Sequence, residues 1–298
     1  MYSFQLRYAD GVRRYSEEFV IRMYPREEDA VNMCKREFKI MKCLAKTNIP
    51  VPYPHFMQLD NELFGMPFLI MDKVYGKTLF QESNNCSEQE ADSYFDKFVR
   101  LLVDLHSLDF YEAGLDFLNI STPPYEYTDM CLQEIERMLE TVNSEYTKHV
   151  YEWLIEQRNN TACRHYVFIH GDFNPDNVIV RDGKIIALID WEGARVGDPV
   201  SDLGWTSFLI KVFGEYSIWD EDELRDYFLS RYQELTHISL RNLKFYELRA
   251  AVFFRLLFSL VERYEVAGVG MSQEADEFFA DTHLLDKIDQ FIEERLTP

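Results

Sequence analysis

The chain has 298 residues, 47% of them hydrophobic, enough for one large domain or two lobes with a packed core. Its 52 acids against 31 bases leave a formal net charge of −21, which argues against nucleic acid or an anionic membrane as a partner. The same charge favours a cationic small molecule as ligand, or simply keeps the protein soluble.

Residues 2–8 and 18–24 alternate and are rich in β-branched and aromatic side chains, which predicts an antiparallel strand pair joined by a polar stretch containing Asp10-Gly11. In the second strand Phe19, Ile21 and Met23 share one face, leaving Val20, Arg22 and Tyr24 on the other. Glu27 to Lys46 has helical spacing, with Ala30, Cys34, Phe38, Met41 and Ala45 as an inner stripe. Glu37 falls beside that stripe, and a carboxylate there needs a partner. Pro50, Pro52 and Pro54 end the helix, after which 55–59 and 66–72 bracket a hairpin. Ser87 and Glu90 form a capping box, followed by a helix-period stripe of Ala91, Tyr94, Phe95, Phe98, Val99, Leu102 and Leu105, with His106 a structural residue at its end. Residues 107–128 read as a loop, and helices resume over 129–142 and 144–157.

Tyr166 to Ile169 reads as a short buried strand, Asn177 to Val180 and Lys184 to Ile189 as two more, with Asp182-Gly183 as a tight type I′ turn between them. The loop 170–176 is pinned at both ends, so Asp172, Asn177 and Asp190 arrive at one place from neighbouring strand ends. Two carboxylates and an amide suit Mg²⁺ rather than a softer metal, and with two of them on the metal the third can serve as base. Gly193 to Pro199 reads as a connection in which Asp198 caps a helix that has Pro199 at its first position. Helices are expected over 201–213, 220–236, 239–266 and 272–295. No internal repeat, low-complexity tract or linker interrupts them. The cysteines Cys34, Cys43, Cys86, Cys131 and Cys163 lack disulfide-framework or zinc-ligand spacing, which fits a reducing cytoplasm. No basic, apolar leader opens the sequence, and its longest apolar-rich segment, around Ala250 to Val261, is broken by Arg255, so neither export nor a membrane span is expected.

The run His170-Gly-Asp172 with Asn177 five positions on, followed by Ile189-Asp190-Trp-Glu192, Gly197-Asp198-Pro199 and Asp202-Leu203, resembles the aminoglycoside phosphotransferase and choline-kinase branch of the protein-kinase-like fold. The resemblance implies an α+β, bilobal architecture: a small antiparallel sheet lobe over residues 1–74 and a larger, mainly helical lobe over 75–298 with the catalytic loop and acceptor pocket. It implies Asp172 as the base for the substrate hydroxyl, Asn177 and Asp190 as Mg²⁺ ligands, and Arg22, paired with Glu37, as the base that touches the nucleotide phosphates. Asp72, Lys73 and Val74 would form the hinge whose backbone reads the purine edge, with Val20 and Ile189 sandwiching the base. His170, Asp198 and Asp202 would be structural support, Asp202 by steadying the catalytic loop. Trp205, Trp219, Tyr264, Glu262 and Glu265 fall where that branch builds its acceptor pocket.

Two departures stand out. Arg22 replaces the lysine of most protein kinases, and the sequence starts at the equivalent of the second strand, with no glycine-rich loop before Arg22. The expected small sheet therefore has four strands and an exposed edge at 2–8, and either the start lies downstream of the native one or the protein is a truncated, weakly active relative. The function expected is transfer of the γ-phosphoryl group of ATP or GTP, with Mg²⁺, to a hydroxyl of an aminoglycoside-like or other small metabolite. A nucleotide-binding pseudokinase is the alternative, and a metal-dependent hydrolase would leave Arg22 and Glu37 without purpose.

Overall fold

The structure, a computed structural model, describes residues 1–9, 14–24, 29–60, 62–118, 120–142, 144–266, 278–279 and 281–297, with the backbone alone at 14–15 and 262–266. The expected Asp10-Gly11 turn, and the side chains of Glu262, Tyr264 and Glu265, lie outside the described residues. The chain divides into two compact units, Met1–Leu118 with His170–Ala194, and Asn119–Ile169 with Arg195–Pro298. This division differs from two lobes meeting at residue 74. The hairpin around residue 182 and the helix that starts at Glu88 fall in the same unit as the N-terminal sheet, the hairpin being joined by residues 77–78 into a separate three-stranded sheet.

In the first unit, the alternating segments form β1 (Tyr2–Ala9) and β2 (Arg14–Met23), antiparallel with Tyr2 opposite Ile21 and Phe4 opposite Phe19. The hairpin after the prolines forms β3 (Pro54–Gln58) and β4 (Phe68–Asp72), and the sheet order is β1-β2-β4-β3. It has four strands, with β1 exposed along its whole length at one edge and no fifth strand among the described residues. Pro54 is tolerated because β3 is the other edge. Helix α1 (Ala30–Leu44) packs against β3 and β4 through Ala30, Cys34, Glu37, Ile40, Met41 and Leu44. The buried stripe is thus rotated from the one expected: Ile40 and Leu44 replace Phe38 and Ala45, because the 3-4-3 spacing that starts at Cys34 runs through Glu37 itself.

Beyond Asp72 come β5 (Lys77–Thr78), the short α2 (Leu79–Ser83) and α3 (Glu88–His106), whose first turn is closed by the Glu90 carboxylate accepting from the Ser87 N–H at 3.0 Å and hydroxyl at 2.6 Å. After β6 (Val167–Ile169), the strands β7 (Val178–Arg181) and β8 (Lys184–Leu188) form the predicted hairpin, and β5 joins them in the order β5-β7-β8. At its tip Asp182 and Gly183 both have positive φ, 51° and 74°, as a type I′ turn requires.

The second unit is helical: α4 (Glu126–Val142), α5 (Glu145–Gln157), α6 (Val200–Phe213), α7 (Glu221–Thr236), α8 (Leu243–Val266) and α9 (Thr282–Leu296). The last is capped by Asp281, which accepts from the His283 N–H at 2.9 Å; of the expected helical residues before it, 278–279 are helical and 272–277 lie outside the described residues. Helix α6 is buried on nearly every side, its Ser201, Asp202, Thr206 and Ser207 included, which makes it the central helix of this unit. Its Phe208 lies edge-on to Phe291 from α9, with ring centroids 5.2 Å apart, and belongs to one buried cluster with Ile135 and Leu154 from α4 and α5 and Leu248 and Val252 from α8. The expected plain connection 193–199 contains a strand, β9 (Arg195–Gly197), which pairs with β6. Three residues are too few to show alternation. Among the described residues no helix is long and apolar enough to cross a membrane.

Candidate active site

The loop after β6 is built around a buried histidine. His170 is fully buried against Trp191, with ring centroids 4.6 Å apart, and its Nε2 lies 3.0 Å from the Ile189 carbonyl, an acceptor only, so Nε2 carries the proton. Nδ1 accepts from the Asp172 N–H at 3.3 Å. The Ile189 N–H donates in turn to the Asn177 carbonyl at 2.9 Å. Both backbone groups of the residue before Asp190 are therefore tied to the loop that carries Asp172.

Two amides hold the Asp172 carboxylate. Asn177 Nδ2 donates to Oδ2 at 2.8 Å and to the Asp172 carbonyl at 2.9 Å, while Asn174 Nδ2 donates to Oδ1 at 2.9 Å. Asn174 is itself fixed, because its Oδ1 caps the short 3₁₀ turn Pro175–Asn177 by accepting from the N–H groups of Asp176 and Asn177 at 2.9 and 3.1 Å. Asn174 was not singled out from the sequence, although an Asn-Pro-Asp run carries the cap signal that would have found it. Gly171, at φ 82°, lies against Gly193: a Cβ on Gly171 would stand 2.3 Å from the Gly193 carbonyl oxygen. The glycine before Asp172 and the glycine after Asp-Trp-Glu thus let two backbones touch.

Arg22 and Glu37 come together, and with more company than the sequence indicated. Arg22 Nη1 lies 3.2 Å from Glu37 and 3.0 Å from Asp190, and its Nη2 lies 2.5 Å from Glu192. The Tyr24 hydroxyl donates to the second Glu37 oxygen. Burial pushes the Glu37 carboxyl above its ordinary range, with Arg22 and Tyr24 opposing that shift. Burial also works against the Arg22 charge, but Glu37 and Asp190 outweigh it and hold the guanidinium ionised. Arg36, one residue before Glu37, binds the carbonyls of Glu192, at 2.8 Å, and Ala194, which fixes the segment after Asp190 to α1. Asp190 itself sits at φ 64°, ψ 67°, a left-handed conformation unusual for a non-glycine and characteristic of functional positions.

Of the hinge residues, Asp72 gives its N–H to the Tyr53 carbonyl at 3.0 Å and Lys73 gives its N–H to the Glu18 carbonyl at 3.3 Å, while Val74 is half-buried. Val20 and Ile189 are also half-buried. Asp198 and Asp202 belong to the second unit and are buried there. Asp198 accepts from the Val200 N–H at 2.9 Å, so it does cap α6, and its other oxygen accepts from Asn242 at 2.8 Å and Tyr246 at 3.2 Å.

Among the described residues no group of three or more His, Cys, Asp or Glu is arranged to hold a metal ion. Asn177 and Asp190 offer an amide and a carboxylate, hard oxygen donors suited to an ion that keeps most of its waters and shares phosphate oxygens, as Mg²⁺ does.

Residues 2–246 match the model of the phosphotransferase enzyme family. The chain is 30% identical over 181 residues to acyl-CoA dehydrogenase family member 11 of Pongo abelii; that match takes in 56% of this chain and 22% of the relative. It therefore spans less than a quarter of that relative's length. Among solved structures, a thermostable mutant of aminoglycoside phosphotransferase APH(4)-Ia superposes with a TM-score of 0.67 at 15% identity, over 99% of this chain and 96% of the other. Another form of that enzyme, in ternary complex with ADP and hygromycin B, gives 0.66 at 14% identity over 99% and 95%. At such identities the likeness is one of fold, a kinase-like one with a small antiparallel sheet.

Proposed function

The chain belongs to the phosphotransferase enzyme family, and on that premise we propose that it transfers the γ-phosphoryl group of ATP or GTP to a hydroxyl of a small metabolite, with Asp172 as the base. The observation that carries this reading is the Asp172 carboxylate, whose two oxygens are oriented by the Asn174 and Asn177 amides. Such a carboxylate is held in a fixed direction, which is what a base for a substrate hydroxyl needs. Because Asn177 turns its NH₂ toward Asp172, its carbonyl oxygen is the group left for a cation. Together with Asp190 it would hold Mg²⁺, which when bound offsets the negative charge of the phosphates.

Arg22 is the phosphate-side cation in this reading, with Glu37 and Tyr24 fixing its direction. At the hinge, the Asp72 and Lys73 N–H groups are spent inside the sheet, so base recognition falls to carbonyl groups and to Val74, between Val20 and Ile189. Asp202, fully buried on α6, is structural support in this reading. The relative's complex with ADP and hygromycin B makes an adenine nucleotide and a hydroxyl-rich acceptor the first pair to try, and the cysteine usage favours a cytoplasmic setting.

The test is Asp172→Asn. A lost general base should lower the transfer rate by roughly 10²–10⁴-fold, whereas nucleotide affinity, measured by titration with a non-hydrolysable analogue, should stay within about twofold, since the base acts on the acceptor. Lost nucleotide affinity with transfer retained would contradict the assignment.

A further inference from the structure

Three acids crowd one cation at the end of β2. Arg22 Nη1 lies between Glu37, at 3.2 Å, and Asp190, at 3.0 Å, and its Nη2 holds Glu192 at 2.5 Å. Burial first, and then Asp190 and Glu192, push the Glu37 carboxyl up, with Arg22 and Tyr24 opposing, so the three acids act on one another as well as on Arg22. Even with the charge of Arg36 counted, three acids outnumber two bases in this cluster. A phosphate approaching Arg22 therefore competes for donors that carboxylates already hold.

The three acids differ in how readily they can let go. The Glu37 side chain is 4% exposed, and the Tyr24 hydroxyl holds its second oxygen. Asp190 hangs from a backbone fixed on both sides: the Ile189 N–H donates to the Asn177 carbonyl at 2.9 Å, and Arg36 donates to the carbonyls of Glu192, at 2.8 Å, and Ala194. Between them Trp191 is fully buried, its indole N–H donating to the Leu188 carbonyl at 3.0 Å. Glu192 combines an anchored backbone with a side chain that is 50% exposed. Rotation about its own χ angles is enough to carry the carboxylate off Arg22 and into water, and exposed side chains make such moves in picoseconds to nanoseconds.

We propose that Glu192 is a latch on Arg22: in the nucleotide-free chain its carboxylate takes the Nη2 donor that a nucleotide phosphate takes on binding, and the two exclude each other. This rests on the phosphotransferase reading above, in which Arg22 is the phosphate-side cation. Carboxylate and phosphate oxygens are both acceptors for a guanidinium edge, so Arg22 stays bonded in either state. Glu192 is a positioning residue in this scheme, since its effect reaches the nucleotide through Arg22. The latch keeps Arg22 aimed while no ligand is present, and it lowers nucleotide affinity in return.

The test is titration of the full chain with a non-hydrolysable ATP analogue, at constant ionic strength and in EDTA so that no divalent cation takes part. Glu192→Gln should bind about two- to fivefold tighter than wild type, because closing a half-exposed ion pair reduces apparent affinity in proportion to the fraction of chains left open. Glu192→Asp keeps the charge but is one methylene shorter on a backbone that Arg36 fixes, so it should tighten binding too. In an Arg22→Lys background, which lacks the second arm that the latch closes on, Glu192→Gln should change affinity less. A Glu192→Asp variant that binds as wild type does would reduce the effect to charge at a distance and overturn the proposal. Binding by wild type that Glu192→Gln leaves unchanged or weakens would sink the latch alone. No nucleotide binding by wild type or any variant would fail the phosphotransferase reading and the latch with it. Either Glu192 variant carries the test should the other fail to fold.

Discussion

Arg22 is the residue on which the first unit's charges converge. One guanidinium faces Glu37, Asp190 and Glu192, and of these Glu37 is the deeply buried one, with its side chain 4% exposed against 39% and 50% for the others. Arg22→Ala would leave the Glu37 carboxyl buried with only Tyr24 to bond, and removing one partner of a buried pair costs about 3–5 kcal/mol. Urea unfolding should show a loss of that size, against less than about 1 kcal/mol for Glu192→Gln, whose pairing is largely solvated. Equal losses would mean that the pair is not the anchor it looks like. The Arg22–Glu37 contact was legible because the strand alternation and the helix period each put one charge on an inward face. Glu192 and Tyr24 were not assigned to it, since spacing alone does not tell which of several nearby groups a long guanidinium reaches.

At the scale of elements, the loop between β6 and β7 depends on the approach of Gly171 to Gly193. Gly171 combines φ 82° with a Cβ position 2.3 Å from a backbone oxygen, whereas a Cβ on Gly193 would meet nothing nearer than 3.1 Å. Gly171→Ala should thus lower the melting midpoint and the transfer rate far more than Gly193→Ala, by left-handed strain of roughly 1–2 kcal/mol plus the displacement of a backbone. The reverse ranking in paired melting curves would show that the contact is slack. Another element-scale device is Asp198 at the start of α6. Burial raises its pKa, with Asn242, the Val200 N–H, Tyr246 and Cys163 opposing the shift. A carboxyl whose folded pKa is raised contributes most stability below its unfolded pKa and loses it as pH rises through the folded value. The stability gap between wild type and Asp198→Asn should therefore shrink from pH 4 to pH 7, and a widening gap in urea unfolding would reverse the assignment. The hairpin at Asp182-Gly183 and the cap at Asp198 were both readable, since each rests on local chemistry. Strand β9 was not, because its pairing with β6 is set by partners far apart in sequence.

For the whole molecule, the sequence made the order of the main strands and helices plain, β5, α2 and β9 apart, but not where its compact units divide. Residues 1–118 and 170–194 pack as one unit through non-local contacts, such as Phe98 of α3 stacked on Phe173 of the catalytic loop at 4.4 Å, which no local pattern announces. The net charge of −21 acts at this scale too. Ion pairs such as Arg22–Glu37 are short-ranged and partly buried, so salt screens them little, whereas the surplus of exposed acids repels across the surface over distances that salt does screen. Raising KCl from about 10 to about 150 mM shortens the screening length from roughly 30 to roughly 8 Å. That change should stabilise the fold and raise the melting midpoint by on the order of a few degrees. A midpoint that falls with added KCl would mean that exposed ion pairs outweigh the repulsion of the surplus acids, and that the acidity imposes no net strain on the folded chain.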